Sequence, residues 1–175
     1  MKRLIAFLLL SAATLMAQKP EFLEGLGQGY AGEWTHASRQ LVALAEAIPA
    51  EKYSWRPAAG VRSTGEVFMH IAGTNFFLLK RMGHKVPADF DSVDAEKVAT
   101  DKAKVIDWLK RSLDAVREPH AAVTPAELKK KEKFFDHEAT DEGIYLRLLV
   151  HANEHMGQLV AYARMNGVVP PWSEK

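Results

Sequence analysis

Four stretches of the chain repeat apolar residues at helical spacing. Residues 31–48 put Trp34, Leu41, Ala45 and Ile48 on one stripe, which Pro49 closes. Ser63 and Glu66 form an S-x-x-E capping box that opens a second helix. Its stripe runs Val67, Ile71, Thr74, Leu78 and Met82, with Gly83 as the stop. Asp101 can cap a third helix, striped by Val105, Leu109, Leu113 and Val116 and ending before Pro119. Thr140 or Asp141 caps the fourth, which carries Ile144, Leu148, His151, His155, Leu159 and Tyr162 on one side and runs to about Asn166-Gly167.

Between these stretches lie the loop Glu51–Pro57 with its two large aromatics, and longer polar connections over 84–100 and 119–140. Thr124-Pro125 reads as the start of a short helical turn, and Lys129–Lys133 as a solvated charge run. Pro170-Pro171 ends helical structure, and Trp172 is expected to dock back on the body. No alternating run predicts a strand. Four amphipathic helices, each hiding one face, pack most simply as an all-α four-helix bundle. The two longer connections leave room for a crossover, so simple up-down-up-down order does not follow.

The first seventeen residues do not fit this pattern. Lys2-Arg3, the apolar run Leu4–Leu10 and the small-residue exit to Ala17 have the parts of a secretory signal. The apolar run is too short for a comfortable bilayer span, and no Cys follows for lipid attachment. The expected product is a single domain, 18–175, that is exported to the periplasm or secreted and keeps no stable membrane anchor. Without Lys2 and Arg3, the 23 basic residues fall to 21 against 22 acidic ones, a mature charge of −1. That balance, without a basic excess, argues against nucleic acid as a partner.

Composition then narrows the chemistry. There is no Cys and there are 7 His, which excludes disulfides, thiolate zinc sites and a catalytic Cys. His151 and His155 are four residues apart, so their rings share the apolar side of the last helix. An i, i+4 pair is a chelating arrangement for divalent transition metals. His70 sits beside Ile71 at the edge of the inward stripe of the second helix, and would complete a three-imidazole set with open positions. The competing reading is that these are hydrogen-bonded core histidines. His36, His84, His120 and His137 read as surface residues.

His151-x-x-Glu154-His155 also matches the H-x-x-E-H pattern of inverted zinc peptidases. That reading fails on its third ligand, because Glu174 is the sole acid in the twenty residues after His155. Glu154 is left as a flanking or outer-shell residue, with a base role still open to it.

Three segments together resemble the DinB-like (YfiT-like) proteins: Ile48–Pro57 followed by Ser63 to Gly73; His151-Ala152-Asn153-Glu154-His155-Met156-Gly157-Gln158-Leu159; and Arg164–Trp172. The resemblance spans about residues 22–174. It implies a four-helix bundle binding a divalent metal (Zn, Ni, Fe or Mn) through His70, His151 and His155. It also implies a small-molecule substrate and, since dimers are common in the family, a homodimer. Members described as enzymes transfer low-molecular-weight thiols, isomerise a thiol-dependent substrate or are proposed hydrolases. An exported chain would be separated from the thiol cosubstrates of the cytoplasm, which shifts the expectation toward hydrolysis or an exported metal-binding bundle without turnover.

Overall fold

The structure is a computed structural model describing residues 25–90 and 98–173. The signal reading of Met1–Ala17 lies outside these residues. Four long helices dominate: α1, Gly29–Ala47; α2, Thr64–Arg81; α3, Lys102–Ala122; and α4, Asp141–Met165. Among the described residues, no helix is long and apolar enough to cross a membrane.

Local chemistry sets the helix ends. The Ser63 hydroxyl accepts from the Glu66 N–H while Glu66 accepts from the Ser63 N–H, so the capping box forms in both directions. Asp101 and Thr140 cap α3 and α4 through single side-chain acceptors. At the other ends, Gly83 and Gly167 take positive φ of 85° and 75°. Each sits in a Schellman closure, with His84 N–H on Leu79 O and Val168 N–H on Ala163 O. The Lys102 ammonium completes the end of α1, donating at 2.7 Å to the carbonyls of both Glu46 and Ile48.

The helices α1 and α2 each pack against both α3 and α4. The order around the bundle is therefore α1, α3, α2, α4: α1 lies diagonally opposite α2 and α3 opposite α4, while the consecutive helices α2 and α3 are neighbours. The core joins Trp34, Leu41 and Leu44 of α1 to Phe68, Ile71 and Leu79 of α2, Leu109 and Val116 of α3, and Leu148 and Leu159 of α4. The Trp34 indole donates to Leu113 O at 3.1 Å, which satisfies its buried N–H across the α1–α3 seam. Tyr53 anchors the first connection: it is fully buried, its hydroxyl donates to Ala45 O at 2.7 Å, and its ring stacks on Phe68. Trp172 is half-buried against the core, as expected.

Four expectations change. The third helix runs through Pro119 to Ala122. The proline lies in the last turn, where its missing N–H removes only one intrahelical bond. The charge run belongs to an antiparallel hairpin, with β1 at Lys131–Phe134 and β2 at His137–Thr140, paired Lys131 to Thr140 and Phe134 to His137. It showed no alternation because its side chains are largely exposed. Its tip is held from outside by the Arg81 guanidinium, 5.0 Å from the Phe135 ring. His84 and His120 are not simple surface residues. The His120 ring lies 4.1 Å from that of Tyr30, and burial lowers its pKa. His84 Nε2 lies 3.4 Å from the Tyr145 hydroxyl. Finally, Asn75 rather than Thr74 is fully buried on α2, donating to Ser112 Oγ on α3 at 3.2 Å.

Candidate metal centre

The α2–α4 seam brings together the three histidines picked out by periodicity. His70 comes from the second turn of α2, and His151 and His155 from adjacent turns of α4. Their ligand nitrogens all lie within 4.8 Å of one another, and each residue is half-buried. Ring centroids are 5.0 Å apart for His70–His151, 4.8 Å for His70–His155 and 4.5 Å for His151–His155. The ring planes meet at 64° to 87°.

Electrostatics favour the neutral form of two of the three rings, His70 and His151. Burial pushes the pKa of His70 down to about 4, and the charges of Arg62 and His155 add to the effect. Burial likewise pushes His151 down to about 4, with His155 and His70 contributing next. Neutral imidazole is the form that ligates metals.

The hydrogen bonds support that role. His155 Nδ1 lies 2.8 Å from Gln158 Oε1, a contact that holds the proton on Nδ1 and leaves Nε2 with its lone pair. Gln158 Nε2 donates to the Tyr162 hydroxyl at 2.8 Å, and Tyr162 donates to Arg62 O at 3.4 Å. His70 Nε2 and His151 Nε2 face each other at 3.2 Å. Metal–nitrogen bonds of about 2.1 Å at roughly 90–110° would separate two ligand nitrogens by about 3.0–3.4 Å. His151 Nδ1 is buried with no hydrogen-bond partner, so the site leaves one polar atom unsatisfied. The donor set therefore fits a divalent transition metal: three close histidines can hold such an ion.

Glu154 lies on α4 between the two ligands in sequence, but it is solvent-exposed and stands outside the cluster. Gln158 is in direct contact with His155. Arg56 and Arg62 were missed. Together with Glu66, His155 and Gln158 they line an open cleft of about 630 Å³ beside the histidines. Both arginines sit in the loop before α2, where there is no periodicity to mark them.

The described fold has counterparts among solved structures. The DinB superfamily model matches residues 33–159. A DinB-like protein from Bacillus cereus superposes with a TM-score of 0.64 at 20% identity, covering 82% of this chain and 95% of its own. A DinB-like protein from Bacillus subtilis does so with a TM-score of 0.54 at 20% identity, covering 83% of this chain and 98% of its own. No curated protein sequence matches. A family match over most of the helical body, on a bundle of the same shape, places this chain in the DinB superfamily.

Proposed function

We propose that the protein is a metal-dependent enzyme acting on a small molecule, with His70, His151 and His155 holding a divalent zinc, nickel, iron or manganese ion. The observation that carries this reading is the convergence of three imidazoles from two helices, with His70 and His151 held toward the neutral form by burial. A bound divalent metal supplies Lewis acidity that polarises a carbonyl and acidifies water toward pKa about 7.

The chain's own groups do the rest. Gln158 fixes the tautomer and orientation of His155, while the half-buried seam limits how many waters reach the cluster. Glu154, exposed on α4 between the two ligands, is proposed as a proton-handling group. The reaction class is hydrolysis, with thiol transfer as the second member of the same proposal. Export follows the reading of Met1–Ala17 as a signal, and thiol cosubstrates kept in the cytoplasm would then be out of reach.

Elemental analysis of untagged protein tests the centre. About one equivalent of one transition metal is expected, falling below about a tenth of an equivalent in His70→Ala, His151→Ala and His155→Ala. Unchanged metal content in all three variants would refute the ligand assignment. Metal binding with no turnover on any ester, amide or thiol-transfer substrate would instead leave a metal-binding bundle.

A further inference from the structure

A line of hydrogen bonds leads away from the histidine cluster along one face of α4. His155, Gln158 and Tyr162 are spaced three and four residues apart, so their side chains lie one above the next on the helix. His155 Nδ1 meets Gln158 Oε1 at 2.8 Å, Gln158 Nε2 meets the Tyr162 hydroxyl at 2.8 Å, and that hydroxyl reaches Arg62 O at 3.4 Å. The line ends on the backbone. Arg62 directly precedes Ser63, whose capping box starts α2, the helix that carries His70. Tyr162 is itself held in place. It is 6% exposed, and its ring stands at 77° to that of Trp55 with centroids 5.2 Å apart.

The direction of every bond in this line follows from its last member. A carbonyl oxygen only accepts, so the Tyr162 proton goes to Arg62 O. Toward Gln158 the hydroxyl then offers only lone pairs, and the amide must present its NH2 group. That leaves Oε1 for His155, which carries its proton on Nδ1 and keeps the Nε2 lone pair for a metal. Turning the amide over would reverse the line. Its NH2 group would face Nδ1 and push the imidazole proton onto Nε2, and Arg62 O would lose its donor as Tyr162 turned to serve Oε1. The two ends of a Gln amide have nearly the same shape, so packing alone does not choose between these orientations. The hydroxyl of Tyr162 does.

We propose that Tyr162 is the positioning residue that sets the tautomer of His155, acting through the amide of Gln158. This role rests on the metal-centre reading and deepens it by naming the group that keeps one ligand in its binding form. Tyr162 belongs neither to the three-histidine group nor to the wall of the cleft, so its influence on the metal passes through Gln158. Without the hydroxyl the amide loses the partner that orients it, and His155 is no longer confined to the tautomer that ligates through Nε2.

The test compares the full chain with Tyr162→Phe, which removes the hydroxyl and keeps the ring against Trp55. Nitrogen-15 NMR of the metal-free proteins above neutral pH reads the tautomer of His155 directly. The proton is expected on Nδ1 in the parent and shifted toward Nε2 in Tyr162→Phe. In a chelator competition, Tyr162→Phe should bind zinc about tenfold more weakly than the parent. Gln158→Glu supplies the control, because a carboxylate has two equivalent acceptor oxygens and needs no neighbour to orient it. In that background, adding Tyr162→Phe should change zinc affinity by less than about twofold. Helical circular dichroism on the same samples confirms that each variant is folded. A proton on Nε2 in the metal-free parent, or a tautomer that Tyr162→Phe leaves unmoved, would overturn the proposal. An equal loss of zinc affinity in the Gln158→Glu background would also overturn it, because Tyr162 would then act by packing and not through the amide. A parent that takes up no zinc would overturn the metal-centre reading, and the tautomer measurement would then decide the role of Tyr162 by itself.

Discussion

Two seams of the same bundle are built on opposite terms. Along α1–α3, Trp34, Leu41, Leu44, Leu109 and Leu113 are buried, and the one polar atom that Trp34 brings is satisfied by Leu113 O. Along α2–α4, three imidazoles occupy positions where the helical stripe would otherwise carry leucines, and His151 Nδ1 is left without a partner. The first seam stabilises the fold by removing apolar surface from water. The second gives up some of that stabilisation and leaves lone pairs gathered at one point. A bundle can do this because its four seams are contributed by different helix pairs, so three seams can be packed for stability while one is kept for ligands.

The contrast can be broken from either side. Trp34→Ala should have the largest effect, lowering unfolding free energy by about 3–5 kcal/mol with or without metal, as read by chemical denaturation. His151→Leu should do the opposite to the apo-protein. Exchanging a desolvated imidazole for an apolar side chain of similar size is expected to leave apo stability unchanged or raise it by up to about 1 kcal/mol. The same variant should lose the metal-induced gain of about 4 kcal/mol expected when free metal exceeds Kd a thousandfold. If His151→Leu destabilised the apo-protein as Trp34→Ala does, the two seams would not differ in kind.

Smaller effects sharpen the picture. Gln158→Ala should weaken metal affinity by about 10–100-fold in a chelator competition, with little change in unfolding midpoint, because it only orients His155. Acid should act through the same cluster. His70 and His151 have folded pKa values near 4 against an ordinary 6.5, so the folded state binds fewer protons than the unfolded chain between those limits. Apo stability should therefore rise with pH from about 4 to about 6.5 and level off above. The urea midpoint across that window measures it, and His151→Leu should flatten part of the slope. A midpoint that fell as pH rose would contradict the neutral state of these imidazoles.

Much of this was legible along the chain, for local reasons. The capping box at Ser63, the Gly83 and Gly167 stops and the apolar stripes are written in local spacing, and they formed as predicted except that Asn75 and not Thr74 is buried on α2. The three inward histidines were visible for the same reason: each breaks an apolar stripe. What escaped has no local period. The hairpin Lys131–Thr140 is exposed on both faces, so its side chains do not alternate. Tyr30, His84, His120 and Tyr145 come from four distant segments, and their ring cluster has no signature in any one of them. Arg62 lies in a loop, and its place beside His155 depends on Tyr162, a hundred residues further on.

By itself the sequence determined the four helices, their caps, their buried stripes and the three histidines that interrupt those stripes. Each of these follows from side-chain spacing on a 3.6-residue turn, an interaction that needs no distant partner. Only the tertiary structure decided the order of the helices around the bundle. Placing α2 beside α4, and not beside α1, is what brings His70 to His151 and His155. The cleft of Arg62 was settled in the same way, since a loop residue gains a neighbour only when another helix is packed against it. Proximity between segments eighty residues apart is a property of packing, and no periodicity along the chain encodes it.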